Sequence, residues 1–137
     1  MNTREVVSRI VLRRPHFVAL ALATIGAGLA VHFRGDAMSD AARDIVGDAL
    51  WAMMIVWLLG AIAPQSVTIT RGVIALAISF AVELSQLIHT PVFDSVRQST
   101  IGHLVLGSGF DLQDLASYSL GVIAAVLIER ALSRHPR

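Results

Sequence analysis

Four stretches of the chain are almost continuously apolar, at 15–33, 45–63, 72–88 and 112–128. Each approaches the ~20 residues that a helix needs to cross a hydrocarbon core about 30 Å thick. Runs of that length and polarity predict membrane-spanning helices rather than strands. The connections support the division. Positions 34–43 are polar, with Ser39 or Asp40 placed to cap the next helix. Pro64 ends the second run, and 65–70 is a short turn. The connection at 90–110 is too polar and glycine-rich to span. Within it Val96, Ile101, Leu104 and Val105 predict one short interfacial or re-entrant helix, and Gly102, Gly107 and Gly109 let the segment bend. The expected fold is therefore a single all-α integral membrane domain over 1–137, a four-transmembrane-helix bundle.

The N-terminal segment differs from the spans. Arginines alternate with Val6, Val7, Ile10, Val11 and Leu12, a basic amphipathic pattern suited to an anionic membrane surface. Pro15 is expected to open the first span. A basic head before an apolar run also describes a signal peptide, with Ala27–Gly28–Leu29–Ala30 as a small-residue cleavage site. Retention is the expectation, because loss of this span breaks the even number of crossings. Ala19, Ala23 and Ala27 form a small-residue face on which a second helix is expected to pack.

Composition agrees with the pattern. Of the 137 residues, 55% are hydrophobic and 15% charged, with a mean hydropathy of +0.68. A soluble domain of this size cannot hide so much apolar surface. Cysteine is absent, which excludes disulfide and thiolate chemistry. No long basic tract suits nucleic acid. The formal net charge of +1 conceals an asymmetry. Eight arginines and two acids fall on the side of the termini, against three arginines and eight acids on the other. By the positive-inside rule both termini are expected to face the cytoplasm.

The polar residues within the spans carry the functional question. Ser79, Glu83, Gln86 and Thr90 make one stripe along the third span. A charge near the bilayer centre costs at least about 2.5–3.5 kcal/mol, so Glu83 requires partners or a proton. Asp36, Asp40, Asp44 and Asp48 recur every four residues, with Asp48 about one turn inside the second span. Asp40 and Asp44 suit a helix start, where carboxylates meet the positive end of the dipole. Asp111, Asp114, Tyr118, Gly121 and Ala125 share a face of the fourth span, with Asp111 a helix cap. Asp48, Glu83 and Asp114 thus fall in one layer near the outer surface, beside Gln86. Arg97 is their expected counter-charge, its guanidinium fork suited to bridging carboxylates or holding an anion. His89 and His103 flank the layer and add imidazole to an oxygen-rich set, but no HxxxH or HExxH spacing assigns a metal. No cofactor is implied.

Gly47–Asp48, Glu83–Leu84–Ser85–Gln86–Leu87, Arg97, Leu104–Val105–Leu106–Gly107 and Phe110–Asp111–Leu112–Gln113–Asp114–Leu115 occur in that order, with Tyr118 and Gly121 behind. In this the chain resembles the small bacterial membrane proteins of DUF family 2809 and, more distantly, the VanZ-like proteins. VanZ-like proteins show an E–x–x–Q pair, a downstream arginine and D–x–x–x–N–x–x–G opening the last span. Tyr118 stands here in place of the Asn. The first family implies no activity; VanZ-like proteins are associated with glycopeptide resistance.

Three functions remain open from the residues. The first is binding or processing of a small or lipid-linked envelope ligand by Asp48, Glu83, Gln86, Arg97, Asp111, Asp114 and Tyr118. If the site is catalytic, Glu83 and Asp114 are the acid/base candidates. The second is a structural or accessory role in which the polar layer only holds the helices together. The third is proton- or cation-coupled transport.

Overall fold

The computed structural model describes residues 3–34, 37–106 and 109–133, with side chains described from Arg14 onward except at 104 and 133. Its regular structure is helical: α1 (Thr3–Arg34), α2 (Asp40–Ile62), α3 (Thr68–Ser85), α4 (Pro91–Arg97), α5 (Thr100–Leu106) and α6 (Leu112–Ser133). Four segments are long and apolar enough to cross a membrane: Arg14–Arg34, Asp40–Ile62, Thr68–Ser85 and Leu112–Leu132. Asp36 and Gly107 lie outside the described residues.

Local chemistry explains most boundaries. Ser39 caps α2, its Oγ accepting from Ala42 N at 3.3 Å. α2 stops at Ile62 because Ala63 precedes Pro64, whose ring disfavours helical backbone at the residue before it. The first boundary departs from expectation. α1 runs through Pro15 as one helix, so the basic segment and the first span are continuous. Proline removes a single backbone donor, while the helical bonds on either side of it persist.

The connection between α3 and α6 departs too, holding two short helices where one was expected. Thr90 Oγ1 caps α4 by accepting from Phe93 N at 3.3 Å, which takes it out of the α3 stripe. Ser99 Oγ accepts from Gly102 N at 3.0 Å and restarts the helix. A Cβ on Gly102 would stand 1.7 Å from the Val96 carbonyl oxygen, so only glycine lets α5 fold back this tightly.

α2 is the central element, packed against α1, α6 and α3, while α6 also packs on α3. The core joins Phe17 and Ala21 of α1, Ala52, Ile55, Val56 and Trp57 of α2, Ala75 of α3, and Tyr118, Val122 and Ala125 of α6. Two glycines set the crossings. Phe17 lies against Gly60, where a Cβ would meet its ring at 2.6 Å. Gly121 meets the Ala49 backbone, where a Cβ would stand 2.0 Å from the carbonyl oxygen. The Phe17 seat also decides the rotation of α1. Phe17, Ala21 and Thr24 face inward, and Ala19, Ala23 and Ala27 are exposed rather than packed. An aromatic ring buries far more area than a row of methyl groups.

At the bundle end nearest the termini sits a buried ion pair. Arg71 is 2% exposed, and its Nη2 donates to both carboxylate oxygens of Glu129, one at 2.6 Å. Its Nη1 donates to the Ser66 carbonyl, and its guanidinium lies 4.9 Å from the centroid of the Phe17 ring. Counted from sequence only among the arginines on the side of the termini, Arg71 is a buried tie between α3 and α6.

Candidate functional site

The other polar cluster lies at the opposite end, where α2 and α6 begin and α3 finishes. Helical period brings Ser79, Glu83 and Gln86 onto the buried face of α3. The close approach at Gly121 places the first turns of α6 against α2, with Asp114 and Tyr118 toward Asp48.

Glu83 is completely buried and accepts three hydrogen bonds. Asp111 N donates to Oε1 at 2.7 Å; Gln86 Nε2 and Tyr118 Oη donate to Oε2 at 2.8 and 3.1 Å. One carboxyl group thus ties α3 to the loop before α6 and to the α6 face. These bonds reach both carboxyl oxygens and offset the desolvation that a buried acid would otherwise impose. Asp111 also caps α6, its Oδ1 accepting from Gln113 N at 2.8 Å.

Asp48 of α2 and Asp114 of α6 are neighbours, close to Glu83. Both are half-buried, and both line a cleft of about 640 Å³. Its walls include Thr24, Ile25, Gly28 and Leu29 of α1, Asp44, Gly47 and Trp51 of α2, Gln86 of α3, and Asp111 and Tyr118. That volume falls inside the range of about 300–1,000 Å³ found for small-molecule sites. Gly28 and Gly47 open it, since a Cβ on either would meet nothing within 4 Å. Glu83 stands behind this lining, joined to it through Gln86 and Tyr118.

Arg97 is placed differently from expectation. Its Nη2 donates to the Ser85 carbonyl at 2.8 Å, and its Nη1 to the Ile88 carbonyl at 3.1 Å and to Asp94 at 3.3 Å. Its described bonds go neither to Glu83 nor to Asp114. The guanidinium adds donors to carbonyls at and just beyond the end of α3, where Ser85 O also accepts from Ile88 N at 3.0 Å. α3 stops at Ser85, three residues short of the expected span. Arg43 is the arginine on the cleft wall, with Asp40 at 3.9 Å. It lies five positions before Asp48, on a different helical face, so the sequence held no signal for it.

The histidines separate. His89 is exposed beside Asp94 at 3.7 Å, and His103 lines the cleft. Among the described residues no three acidic or imidazole side chains are grouped to hold a metal ion.

A family model described as "Protein of unknown function (DUF2809)" matches residues 37–122. The chain belongs to this family. The DUF2809 region contains α2 through α5 and the first half of α6, and so every residue of the Glu83 network and of the Asp48–Asp114 pair. From α1 it takes nothing, although α1 supplies one wall of the cleft. No solved structure matches the chain.

Proposed function

We propose that this DUF2809 protein is a multi-pass protein of the bacterial cytoplasmic membrane that binds a small or lipid-linked envelope ligand in the cleft beside Asp48 and Asp114. The observation that carries this reading is the cleft itself. It is ligand-sized, its floor is polar, and it opens among helices whose other surfaces are apolar. Packing alone does not call for such a void, because helices in lipid associate by filling the space between them. The arginine bias supports cytoplasmic termini, which puts the cleft on the outer side of the membrane. Within this reading Glu83 is a positioning residue. It holds Gln86 and Tyr118 in the wall and fixes the loop at Asp111, and the Asp48–Asp114 pair is the acidic group left to meet a ligand.

A structural role is the second reading, favoured by the buried, mutually bonded Glu83 network. Gly47→Leu separates the two. It puts a bulky side chain into the cleft from a residue outside that network, at a position where a Cβ meets nothing within 4 Å. Native mass spectrometry of protein extracted in lipid nanodiscs is expected to show a bound species in the wild type that Gly47→Leu lacks, with both equally folded. An identical, empty spectrum for the two proteins assigns the cluster to structure alone.

A further inference from the structure

Within the reading of the cleft as a ligand site, its chemistry specifies the polar end of the ligand. Gln86 is 5% exposed and lines the cleft, and its Oε1 is buried without a hydrogen-bond partner. The amide is planar and its Nε2 is bonded to Glu83, so Oε1 is turned away from that residue. A buried acceptor left unmade costs about 1–3 kcal/mol, which a donor on the ligand would recover. Asp48 and Asp114 line the same cleft, and their four carboxyl oxygens add further acceptors. Trp51 lies on the same wall, and an indole face attracts cations more strongly than any other aromatic side chain. Ile25 and Leu29, 37% and 42% exposed, give the α1 wall an apolar surface.

We infer that the cleft takes a primary ammonium group carried on an apolar chain, the ammonium donating to Gln86 Oε1 and the Asp48–Asp114 pair with the chain along α1. An R–NH₃⁺ head brings three N–H donors and one positive charge, which matches three acceptor groups and an aromatic neighbour. A quaternary ammonium has the charge without the donors, and an alcohol has a donor without the charge.

The test holds the chain constant and varies the head. Decylamine, decyltrimethylammonium and decanol are titrated by calorimetry into full-length protein in phosphatidylcholine nanodiscs, with Gly47→Leu as the blocked control for partition into the bilayer. Decylamine is expected to bind about tenfold more tightly than the other two. Gln86→Met and the Asp48→Asn/Asp114→Asn pair are each expected to reduce that preference, and Gly47→Leu to abolish specific binding. Gly47→Leu leaves the buried network intact, so its result stands if Gln86→Met fails to fold. A second arm adds phosphatidylethanolamine to the discs. Competition with decylamine identifies a lipid headgroup as the source of the amine, and lack of competition a free amine; both support the ammonium. Equal or tighter binding of decanol or decyltrimethylammonium overturns it. Failure of decylamine, in a protein that still carries a species lost in Gly47→Leu, overturns the ammonium but not the ligand site. Failure of decylamine with no such species overturns both.

Discussion

The two ends of the bundle bury polar groups in opposite ways. Near the termini one cation meets one anion: Arg71 holds Glu129 in a two-oxygen grip, with Phe17 and the Ser66 carbonyl completing the surroundings. At the far end Asp48, Glu83 and Asp114 gather beside Gln86 and Tyr118, and the arginine expected to balance them lies on the α3 carbonyls instead. The first cluster is complementary in charge and ties two helices. The second has acceptors in excess, and part of it borders a cleft. Polar burial alone therefore does not mark function in a membrane bundle. What distinguishes the far end is the surplus of acceptors beside open volume.

The comparison breaks hardest at the ion pair. Removing one partner of a buried pair strands a charge, so Glu129→Ala is expected to destabilise by about 3–5 kcal/mol. The double change Arg71→Met/Glu129→Leu should recover most of this in reversible unfolding from mixed micelles, while ligand occupancy of the cleft stays unchanged. Stability lost without recovery in the double variant would make the pair more than a tie.

Glu83→Gln comes next. The amide offers one acceptor oxygen where the carboxylate offers two, so at least one of the three donors is left unmade, at about 1–3 kcal/mol. The same measurement should show that loss together with weakened ligand binding, because the wall residues Gln86 and Tyr118 lose their anchor. A stability loss with unaltered binding would detach the network from the site. Gly121→Ala drives a methyl group into the Ala49 carbonyl and is expected to cost about 1–3 kcal/mol. It spreads α2 from α6, and tryptophan fluorescence of Trp51 should report the shift.

The smallest effect has the opposite sign. Gly47→Ala sits in a helix with free space around its new methyl group, so it should stabilise by about 0.5–1 kcal/mol. It should also reduce ligand occupancy, the exchange of stability against function expected where a glycine is kept for room. Higher stability with full occupancy would show that the cleft does not need this glycine.

Much of this architecture was legible before folding. The four helices long and apolar enough to cross a membrane follow from the ratio of bilayer thickness to helical rise, a property of length and polarity that needs no tertiary information. The caps at Ser39 and Asp111 are local, each bonding a backbone donor two or three residues ahead. Helical period put Glu83 and Gln86 on one face and Asp114 and Tyr118 on another, and those faces do meet.

Other features were settled only by the fold. Period says which residues share a stripe, and leaves open which stripe turns inward. On α1 the seat of Phe17 over Gly60 decided this against the alanine face. An arginine side chain reaches in any direction from its backbone, so Arg97 went to the carbonyls at the end of α3, which a list of charged residues does not contain. Arg71 and Glu129 are 58 positions apart and become partners only because α3 and α6 lie side by side. The cleft, and the unpaired oxygen of Gln86 beside it, belong to no single segment. They arise where five helices fail to close, and the apolar pattern of each helix records only that it is buried or exposed.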